Sequence, residues 1–388
     1  MNMQPNRINS IDYARGLVMI IMALDHTRDF LHTDAPASPT NLATTTPALF
    51  FTRLITHLCA PSFVFLAGAS AWLAAQKRPA AHRGFLLRRG LLLITLEFTL
   101  INFALWTDIQ FRTLIFEVIG AIGAGFIILS LLYKCPPRIL AAIGLIIIFG
   151  HDLLTSIMIP GSPAIQLFLS LLFGPSLTPL GPTHVFLVAY PVIPWTGIML
   201  TGFAAGRVFQ EAPSLRKKYL LSIGLSALFF FLLLRCANVY GDPVKWTPQK
   251  NNIFTMLSFL NISKYPPSLL FTLLTLGTLF LILRTLDNRD NKFTNILSVF
   301  GRTPLFYFII HLYLLHIAMF AMTFLQGFTT HDLAFGILKS GRPEKGTGIS
   351  LPFVYLSWIA VVIAMYPLCR WYDRFKRLHP EITWLKYF

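Results

Sequence analysis

Long apolar segments recur along the whole chain, and they constrain its fold more than any other feature. A helix needs about 20 apolar residues to cross the hydrocarbon core of a bilayer, which is roughly 30 Å thick. The segments of suitable length are approximately 11–32, 54–75, 85–106, 112–133, 138–158, 184–206, 218–238, 267–286, 296–324 and 350–371. We therefore predict an all-α, polytopic transmembrane helix bundle of about ten spans that forms a single domain over residues 1–388.

The composition agrees with a membrane protein. Charged residues make up 12% of the chain and hydrophobic residues 55%, whereas soluble domains carry about 25% charged residues. The formal net charge of +16 could indicate a nucleic-acid-binding protein, but the basic residues fall in short clusters between the apolar segments and not along one stripe. We therefore predict the lipid bilayer as a partner and no nucleic acid, and the sequence leaves a homodimer open.

Every second connection between the apolar segments is rich in Lys and Arg. Cytoplasmic loops carry such an excess, so these connections and both termini are predicted to face the cytoplasm. The basic residues in question are Arg7, Lys77, Arg78, Arg83, Arg88, Arg89, Lys134, Arg138, Arg207, Arg216, Lys217, Lys218, Arg284, Arg289, Lys292, Arg370, Arg374, Lys376 and Arg377. The short apolar piece 164–174 is interpreted as re-entrant or interfacial, because an eleventh span there would invert every later loop.

Several kinds of site are not indicated. The four cysteines are scattered without C-x-x-C spacing, which predicts neither a metal site nor a disulfide framework. A Cys59–Cys236 bridge stays a minor alternative, since both residues are predicted near the outer face. The sequence also lacks the glycine-rich phosphate-binding, H-E-x-x-H and G-x-S-x-G motifs, so ATP-driven, zincin and serine-hydrolase functions are not supported.

The first apolar segment carries ionisable residues, which are costly within a membrane and by default suggest function. One face of the predicted helix presents Asp12, Arg15, His26 and Asp29. At 1.5 Å per residue, His26 lies about 16 Å deeper than Arg15. We expect His26 and the adjacent Asp25 to be buried in the bundle. The alternative is a helix that ends at Asp25 and continues as a solvated loop.

Two later spans carry histidines. The second span opens with Arg53 and His57, and Pro61 four residues after His57 is expected to free a backbone carbonyl and bend the helix. His311 falls in the middle of the ninth span, where Tyr307 on the same helical face is within hydrogen-bonding reach. Each histidine is interpreted either as a catalytic residue or as a structural core residue.

Two proline-containing segments are predicted to shape the membrane interior. Lys264 and Tyr265 precede a double proline, which should fix them at the outer mouth of the eighth span. Trp195 follows two prolines spaced three apart, which should break the helix there. Irregular backbone at membrane depth is tolerated where it lines a cavity. We therefore expect Trp195 to line a cavity, with a place in the interfacial aromatic belt as the alternative.

These strings together resemble the catalytic domain of heparan-alpha-glucosaminide N-acetyltransferase and its bacterial relatives. The similar strings are 11–16, the stretch around His26, 61–68, 264–267 and 300–304 followed by His311. The resemblance spans most of the chain. It implies a multi-pass acyltransferase of the plasma (inner) membrane that uses acetyl-CoA as the donor substrate on the cytoplasmic side and acetylates a sugar or glycan acceptor on the other side.

A thioester donor requires a base that removes a proton from the acceptor hydroxyl or amine, and a histidine oriented by a carboxylate fits this task. The predicted catalytic residues are His26, His57, Asp25, Asp29 and His311, with His26 as base and Asp25 or Asp29 orienting it. The predicted donor-binding residues are Asp12, Arg15, Arg88 and Arg89. The predicted acceptor-binding residues are Arg53, Lys264, Tyr265 and Trp195. The alternative is a proton-coupled transporter of a small polar solute, because buried His/Asp pairs and broken helices also occur in transporters.

Overall fold

The computed structural model describes residues 8–33, 38–77, 79–154, 162–344 and 346–388, apart from the side chains of 79–81, 154 and 163. Helix accounts for 71% of the structure. The α-helices in these residues are α1 (Asn9–Leu31), α2 (Pro47–Thr56), α3 (Cys59–Lys77), α4 (Pro79–Leu96), α5 (Asn102–Trp106), α6 (Val118–Leu131), α7 (Pro137–Leu154), α8 (Pro163–Phe173), α9 (Val192–Ala205), α10 (Pro213–Ala237), α11 (Asn252–Leu260), α12 (Leu269–Leu286), α13 (Lys292–Arg302), α14 (Pro304–Leu325) and α15 (Leu351–Leu378). A π-helical turn over Glu97–Ile101 joins α4 to α5.

Six helical segments of the described residues are long and apolar enough to cross a membrane, which supports a membrane protein. They are Pro47–Lys77, Val192–Gln210, Pro213–Ala237, Leu269–Leu286, Pro304–Leu325 and Leu351–Leu378. The total of about ten spans and the cytoplasmic location of both termini stay predictions. Arg7, Arg78 and the end of the predicted fifth span (155–158) lie outside the described residues.

The sequence-based elements were wrong in three places. The predicted span 112–133 begins with a strand before α6, the span 184–206 begins with a strand before α9, and the span 296–324 is divided at Thr303 into α13 and α14. Apolar runs of four residues do not distinguish a strand from a buried helix, which explains the first two errors.

The fold is therefore mostly, but not entirely, α-helical. The strands are β1 (Thr113–Phe116), β2 (Ser176–Pro179), β3 (Val185–Val188), β4 (Phe335–Gly336) and β5 (Lys339–Ser340). In the larger sheet β3 is central, parallel to β1 and antiparallel to β2. This sheet carries the chain into α6 and α9, so it fixes where both helices begin.

Helix α1 lies at the centre of the bundle. It continues to Leu31, so the alternative of a helix that ends at Asp25 is wrong. It packs against α13 with the two backbones in direct contact, because a Cβ atom at Gly16 would lie 1.9 Å from the carbonyl oxygen of Leu297 and one at Gly301 equally close to that of Asp12. Only glycine permits this approach, which brings the start of α1 beside the end of α13.

The periphery of the bundle is apolar. Only 17% of the apolar stretch of α15 and 22% of that of α10 is buried within the protein, so the rest is available to lipid. Helix α8 has 11 residues and is about 16 Å long, too short to cross a bilayer, and its re-entrant or interfacial location stays a prediction. The Cys59–Cys236 bridge is wrong, because both cysteines are free, Cys59 buried and Cys236 exposed.

Candidate active site

A large basic cavity, with a volume of about 1690 Å³, opens around the first half of α1. Its basic side chains are Arg15, Lys77, Arg89, Arg216, Arg289, Arg302, Lys376 and Lys386, and its acidic side chains are Asp12, Asp287 and Asp290. The excess of positive charge suits an anionic ligand. We call this space the basic cavity.

A second cavity, with a volume of about 620 Å³, lies around the second half of α1. It contains both of the histidines predicted in the first two spans. Its ionisable lining residues are Asp25, His26, Arg28, Asp29, Arg53, His57, Cys59, Glu117, Tyr190, Lys264 and Tyr265. We call this space the histidine cavity.

The two cavities share one wall. Phe63, Val118 and Phe308 line both of them. Along α1, Arg15 lines the basic cavity and His26 lines the histidine cavity, and eleven residues of helix separate these positions by about 16 Å. The cavities therefore lie in series along the bundle and are divided by three apolar side chains, which we call the apolar wall.

His26 is held by His311, which lies behind it on α14. Nδ1 of His26 lies 2.7 Å from Nε2 of His311, and Nδ1 of His311 lies 2.8 Å from the backbone carbonyl oxygen of Tyr307. A carbonyl oxygen only accepts hydrogen bonds, so in the neutral ring Nδ1 of His311 carries the proton and its Nε2 accepts one from Nδ1 of His26. Nε2 of His26 is thereby left with its lone pair. Because His26 lines the histidine cavity, a base is available there.

The carboxylates expected to orient His26 instead bind arginines. Asp25 accepts hydrogen bonds from Arg28, at 3.0 Å, and from Arg53. Arg28 also bonds Asp29, at 2.6 Å. These ion pairs neutralise both buried arginines, as a membrane interior requires. The prediction that Asp25 or Asp29 orients His26 was therefore wrong. His311 orients His26 instead. Tyr307 bonds His311 through its backbone carbonyl oxygen and not through its hydroxyl group.

His57 occupies a break between α2 and α3. Pro61 has no N–H to bond the carbonyl of His57, and the helix is interrupted between Thr56 and Cys59, where only a bend was predicted. The ring contacts Phe271 edge-on with centroids 5.4 Å apart, and its Nδ1 has no hydrogen-bond partner within the described part of the chain. His57 lines the histidine cavity but makes no hydrogen bond to His26 there.

Lys264 and Tyr265 lie together on the loop before α12. The Nζ atom of Lys264 is 5.6 Å from the ring centroid of Tyr190 and 5.0 Å from that of Tyr265. Burial would raise the pKa of Tyr265, but the Lys264 ammonium and the Arg53 guanidinium bring this pKa below its ordinary value. Both residues line the histidine cavity, and their predicted place at the outer mouth of the eighth span stays a prediction.

Trp195 does not line either cavity. Its side chain is fully buried, and its ring packs against Tyr190 with centroids 4.7 Å apart and against Phe271 at 6.5 Å. The prolines do mark the start of α9, but the helix turns Trp195 into the core. The predicted acceptor contact of Trp195 was therefore wrong, and Tyr190, five residues earlier, lines the histidine cavity in its place.

In the basic cavity, Asp12 acts on neighbouring arginines. It pairs with Arg15 at 3.3 Å and with Arg302 at 4.0 Å. Arg15 also donates to Ser70, at 2.7 Å, and to the carbonyl oxygen of Gly301, at 3.1 Å. These contacts hold two guanidinium groups at the cavity surface and explain why an acidic residue belongs to a basic site.

The two adjacent arginines of α4 differ in position. Arg89 lines the basic cavity with its guanidinium carbon 5.4 Å from the ring centroid of Phe126, and its Nε has no hydrogen-bond partner among the described residues. Arg88 is exposed and does not line the cavity. The structure therefore does not bring Arg88 and Arg89 together in one cavity, and donor binding by these arginines stays a prediction.

Several lining residues received no role from the sequence. Glu117 lies at the start of α6 and lines the histidine cavity. The sequence could have indicated a functional role for Glu117, since a carboxylate within an apolar span is costly. Arg302 and the apolar wall were also missed, because only the packing of α13, α3, α6 and α14 brings them to the cavities. His316 is structural, with its two ring nitrogens 3.1 Å and 2.8 Å from the backbone carbonyls of Ala104 and Ser340.

The fold and the two cavities define a helical membrane protein in which a cavity lined by histidines lies beside a basic cavity. The profile of the family described as "Heparan-alpha-glucosaminide N-acetyltransferase, catalytic" matches residues 7–235, more than half of the 388 residues. The chain belongs to this family, which indicates a membrane acyltransferase. A comparison with curated proteins found no match. The matched range contains His26, Arg53 and Arg89, whereas Lys264 and His311 follow it.

Proposed function

We propose that this protein transfers an acetyl group across the plasma (inner) membrane, from cytoplasmic acetyl-CoA to a sugar or glycan acceptor on the opposite side. The observation that carries the proposal is the serial arrangement of the basic cavity, the apolar wall and the histidine cavity. The basic cavity suits the charged end of the donor, the apolar wall suits its uncharged thioester arm, and the histidine cavity supplies the base.

The basic cavity is proposed to bind the donor phosphates. Acetyl-CoA carries its negative charge at the nucleotide end and its thioester at the end of a flexible arm. Arginine suits phosphate recognition because its planar fork of donors remains charged. Arg89 lines this space and has a buried Nε donor without a partner among the described residues, and Arg15 and Arg302 are held at the cavity surface by Asp12. The positive-inside pattern supports a cytoplasmic location for this cavity.

The thioester is proposed to reach the apolar wall, beside His26. Phe308 belongs to the wall and its ring contacts that of His26 edge-on, with centroids 5.9 Å apart. Phe63 and Val118 supply the remaining apolar surface, which suits the uncharged arm of the donor. A substrate bound in this way would bring the acyl carbon to the boundary of the histidine cavity.

Acetyl transfer then needs one proton to move between the acceptor and the leaving sulfur. Nε2 of His26 removes the proton from the acceptor hydroxyl or amine, and the acceptor atom attacks the thioester carbonyl carbon. When the tetrahedral intermediate collapses, the C–S bond breaks and the His26 imidazolium returns the proton to the thiolate. The products are an acetyl ester or amide and free CoA, with no net proton change. The imidazolium formed on His26 is stabilised by its hydrogen bond to His311.

The proposal is tested with the protein reconstituted in sealed vesicles. Labelled acetyl-CoA is added outside, and glucosamine and methyl β-glucoside are trapped inside in separate preparations. Neither CoA nor these sugars cross a bilayer readily, so acetylated sugar inside requires transfer through the protein. We expect labelled sugar in the lumen of protein-containing vesicles and none in protein-free vesicles.

Two results would contradict this function. Product that forms only when donor and sugar are on the same side would argue against transfer across the membrane. The absence of saturable acetyl-CoA binding would argue against the reaction itself and favour the proton-coupled transporter. None of the contacts observed among the described residues specifically supports that transporter.

A further inference from the structure

Residues 379–388 follow the end of α15 and lie against the basic cavity. They include a short 3₁₀ turn over Thr383–Tyr387. Two residues of this segment, Lys386 and Phe388, line the cavity. We call residues 379–388 the strap. The strap therefore contributes a cation to the basic cavity, Lys386, that no sequence pattern indicated.

The strap is attached to the helices on which it lies. The ring of Tyr387 stacks on that of Phe85 in α4, with centroids 5.2 Å apart and planes inclined by 15°. The Nζ atom of Lys376 in α15 donates to the backbone oxygen of Phe388 at 3.2 Å. Phe85 and Lys376 both line the basic cavity, and Leu385 of the strap is buried. The strap thus joins α4 to α15 at this cavity.

A cation flanks each ring of the stacked pair. The guanidinium carbon of Arg89 lies 6.0 Å from the ring centroid of Phe85, and Nζ of Lys386 lies 5.3 Å from that of Tyr387. Both cations line the basic cavity. The stack therefore links the segment that carries Lys386 to the helix that carries Arg89, a residue proposed to bind the donor phosphates.

The acidic side chains of the basic cavity are not paired with these two cations. Asp12 pairs with arginines of α1 and α13, and Asp287 pairs with Arg216 at 3.0 Å. Asp290 is exposed, and no aspartate or glutamate of the described residues lies within salt-bridge distance of Arg89 or Lys386. An anionic ligand can therefore approach Lys386 without displacing a carboxylate. The flexible stem and three donors of a lysine suit a phosphate group.

We infer that Lys386 is a further donor-binding residue, whose ammonium group pairs with a phosphate of acetyl-CoA, and that Tyr387 is the positioning residue that presents it by stacking on Phe85. The inference rests on the proposed function for the identity of the donor. A phospholipid headgroup offers the same phosphate chemistry, so the experiment has to separate these two sources.

Equilibrium binding of CoA to the protein in lipid nanodiscs tests the role of Lys386. We expect Lys386→Gln to weaken CoA binding by about tenfold, the loss expected for a hydrogen bond between charged groups. Lys386→Arg should retain most of the affinity. Lys218→Gln is the matched control, because Lys218 is exposed and does not line the cavity. Dephospho-CoA as a second probe locates the phosphate: it should be insensitive to Lys386→Gln if the 3′-phosphate is the partner, and equally sensitive if the diphosphate is.

The lipid composition separates the donor from the membrane. The loss caused by Lys386→Gln should be the same in phosphatidylcholine nanodiscs and in nanodiscs that also contain phosphatidylglycerol. If Lys386 instead binds headgroups, Lys386→Gln would leave CoA affinity unchanged in both lipids and would lower the amount of phosphatidylglycerol that copurifies with the protein. That result overturns the inference.

Tyr387 is tested through its dependence on Lys386. Tyr387→Leu should weaken CoA binding about as much as Lys386→Gln, and the double variant should bind no more weakly than either single variant, because both act on one contact. Tyr387→Phe keeps the stacked ring and should bind CoA normally. Additive losses would show that Tyr387 acts independently of Lys386, which contradicts its positioning role. Thermal unfolding of each variant establishes that it is folded.

The measurement distinguishes this inference from the proposed function. If CoA binds and acetyl transfer occurs in vesicles, but a folded Lys386→Gln protein binds CoA as tightly as the control, only the inference fails. A protein whose CoA binding depends on Lys386 but which transfers no acetyl group would refute the proposed function and leave the phosphate contact standing. A protein that binds no CoA would overturn both.

Discussion

Nδ1 of His26 donates a hydrogen bond to Nε2 of His311, and the direction of this bond is fixed by the Tyr307 carbonyl oxygen on the far side of His311. In hydrolases with a catalytic triad a carboxylate orients the histidine. Here a neutral imidazole takes that position. This choice avoids placing another negative charge in the membrane interior, where an unpaired charge is expensive.

Replacement of His26 should remove the base. We expect His26→Ala to lower the rate of acetyl transfer by about 10²–10⁴-fold, the usual contribution of a general base, while acetyl-CoA binding in the basic cavity is retained. The measurement is single-turnover transfer from labelled acetyl-CoA. His331→Ala serves as control, because His331 is exposed in a 3₁₀ turn outside both cavities. Transfer by His26→Ala at the rate of the control would exclude His26 as base.

Replacement of His311 should act through His26. We expect His311→Leu to lower kcat by about tenfold or more without raising the KM for acetyl-CoA, since the tautomer of His26 would no longer be fixed. His311→Gln offers an amide oxygen that accepts from Nδ1 of His26, so it should recover part of the activity. If His311 had a purely structural role, both substitutions would lower kcat to the same extent and would also lower the midpoint of thermal unfolding.

The adjacent arginines of α4 provide a matched pair for donor binding. Arg89→Gln should raise the KM for acetyl-CoA by about tenfold, because a phosphate would lose a charged hydrogen-bond donor. Arg88→Gln removes the same charge one residue earlier, outside the cavity, and should leave KM nearly unchanged. Equal effects of the two substitutions would show that the cavity acts only through its overall charge.

The contact between α1 and α13 should tolerate no side chain at Gly301. We expect Gly301→Ala to destabilise the protein by about 1–3 kcal/mol or more, since the new Cβ would overlap a backbone carbonyl that cannot move alone. The check is the thermal unfolding midpoint in detergent. Gly84→Ala is the comparison, because a Cβ there meets no atom within 4 Å, and it should be neutral or slightly stabilising. A Gly301→Ala protein as stable as this control would contradict the close approach of the two helices.

The sequence predicted much of the site because charges are rare in membrane segments. His26, His57 and Lys264 attracted attention for that reason, and they do line one cavity. The depth of His26 relative to Arg15 also followed from helix geometry alone, and these two residues line different cavities.

What could not be predicted depends on rotation and packing. Neighbouring residues of a helix point about 100° apart, so a one-residue difference separates Arg89 in the cavity from Arg88 outside it. Tyr190 lines the histidine cavity and Trp195 does not, because the position at which α9 begins determines which of the two rings points into the cavity. The pairing of His26 with His311 joins positions 285 residues apart, and no local pattern records such a contact.

The apolar wall has a consequence for the energy of the cell. Phe63, Val118 and Phe308 line both cavities where they meet, and an ion would have to shed its hydration to pass these apolar side chains. Under the proposed function, acetyl transfer would link two aqueous compartments chemically while the apolar wall keeps them electrically insulated, so that the membrane potential would be preserved.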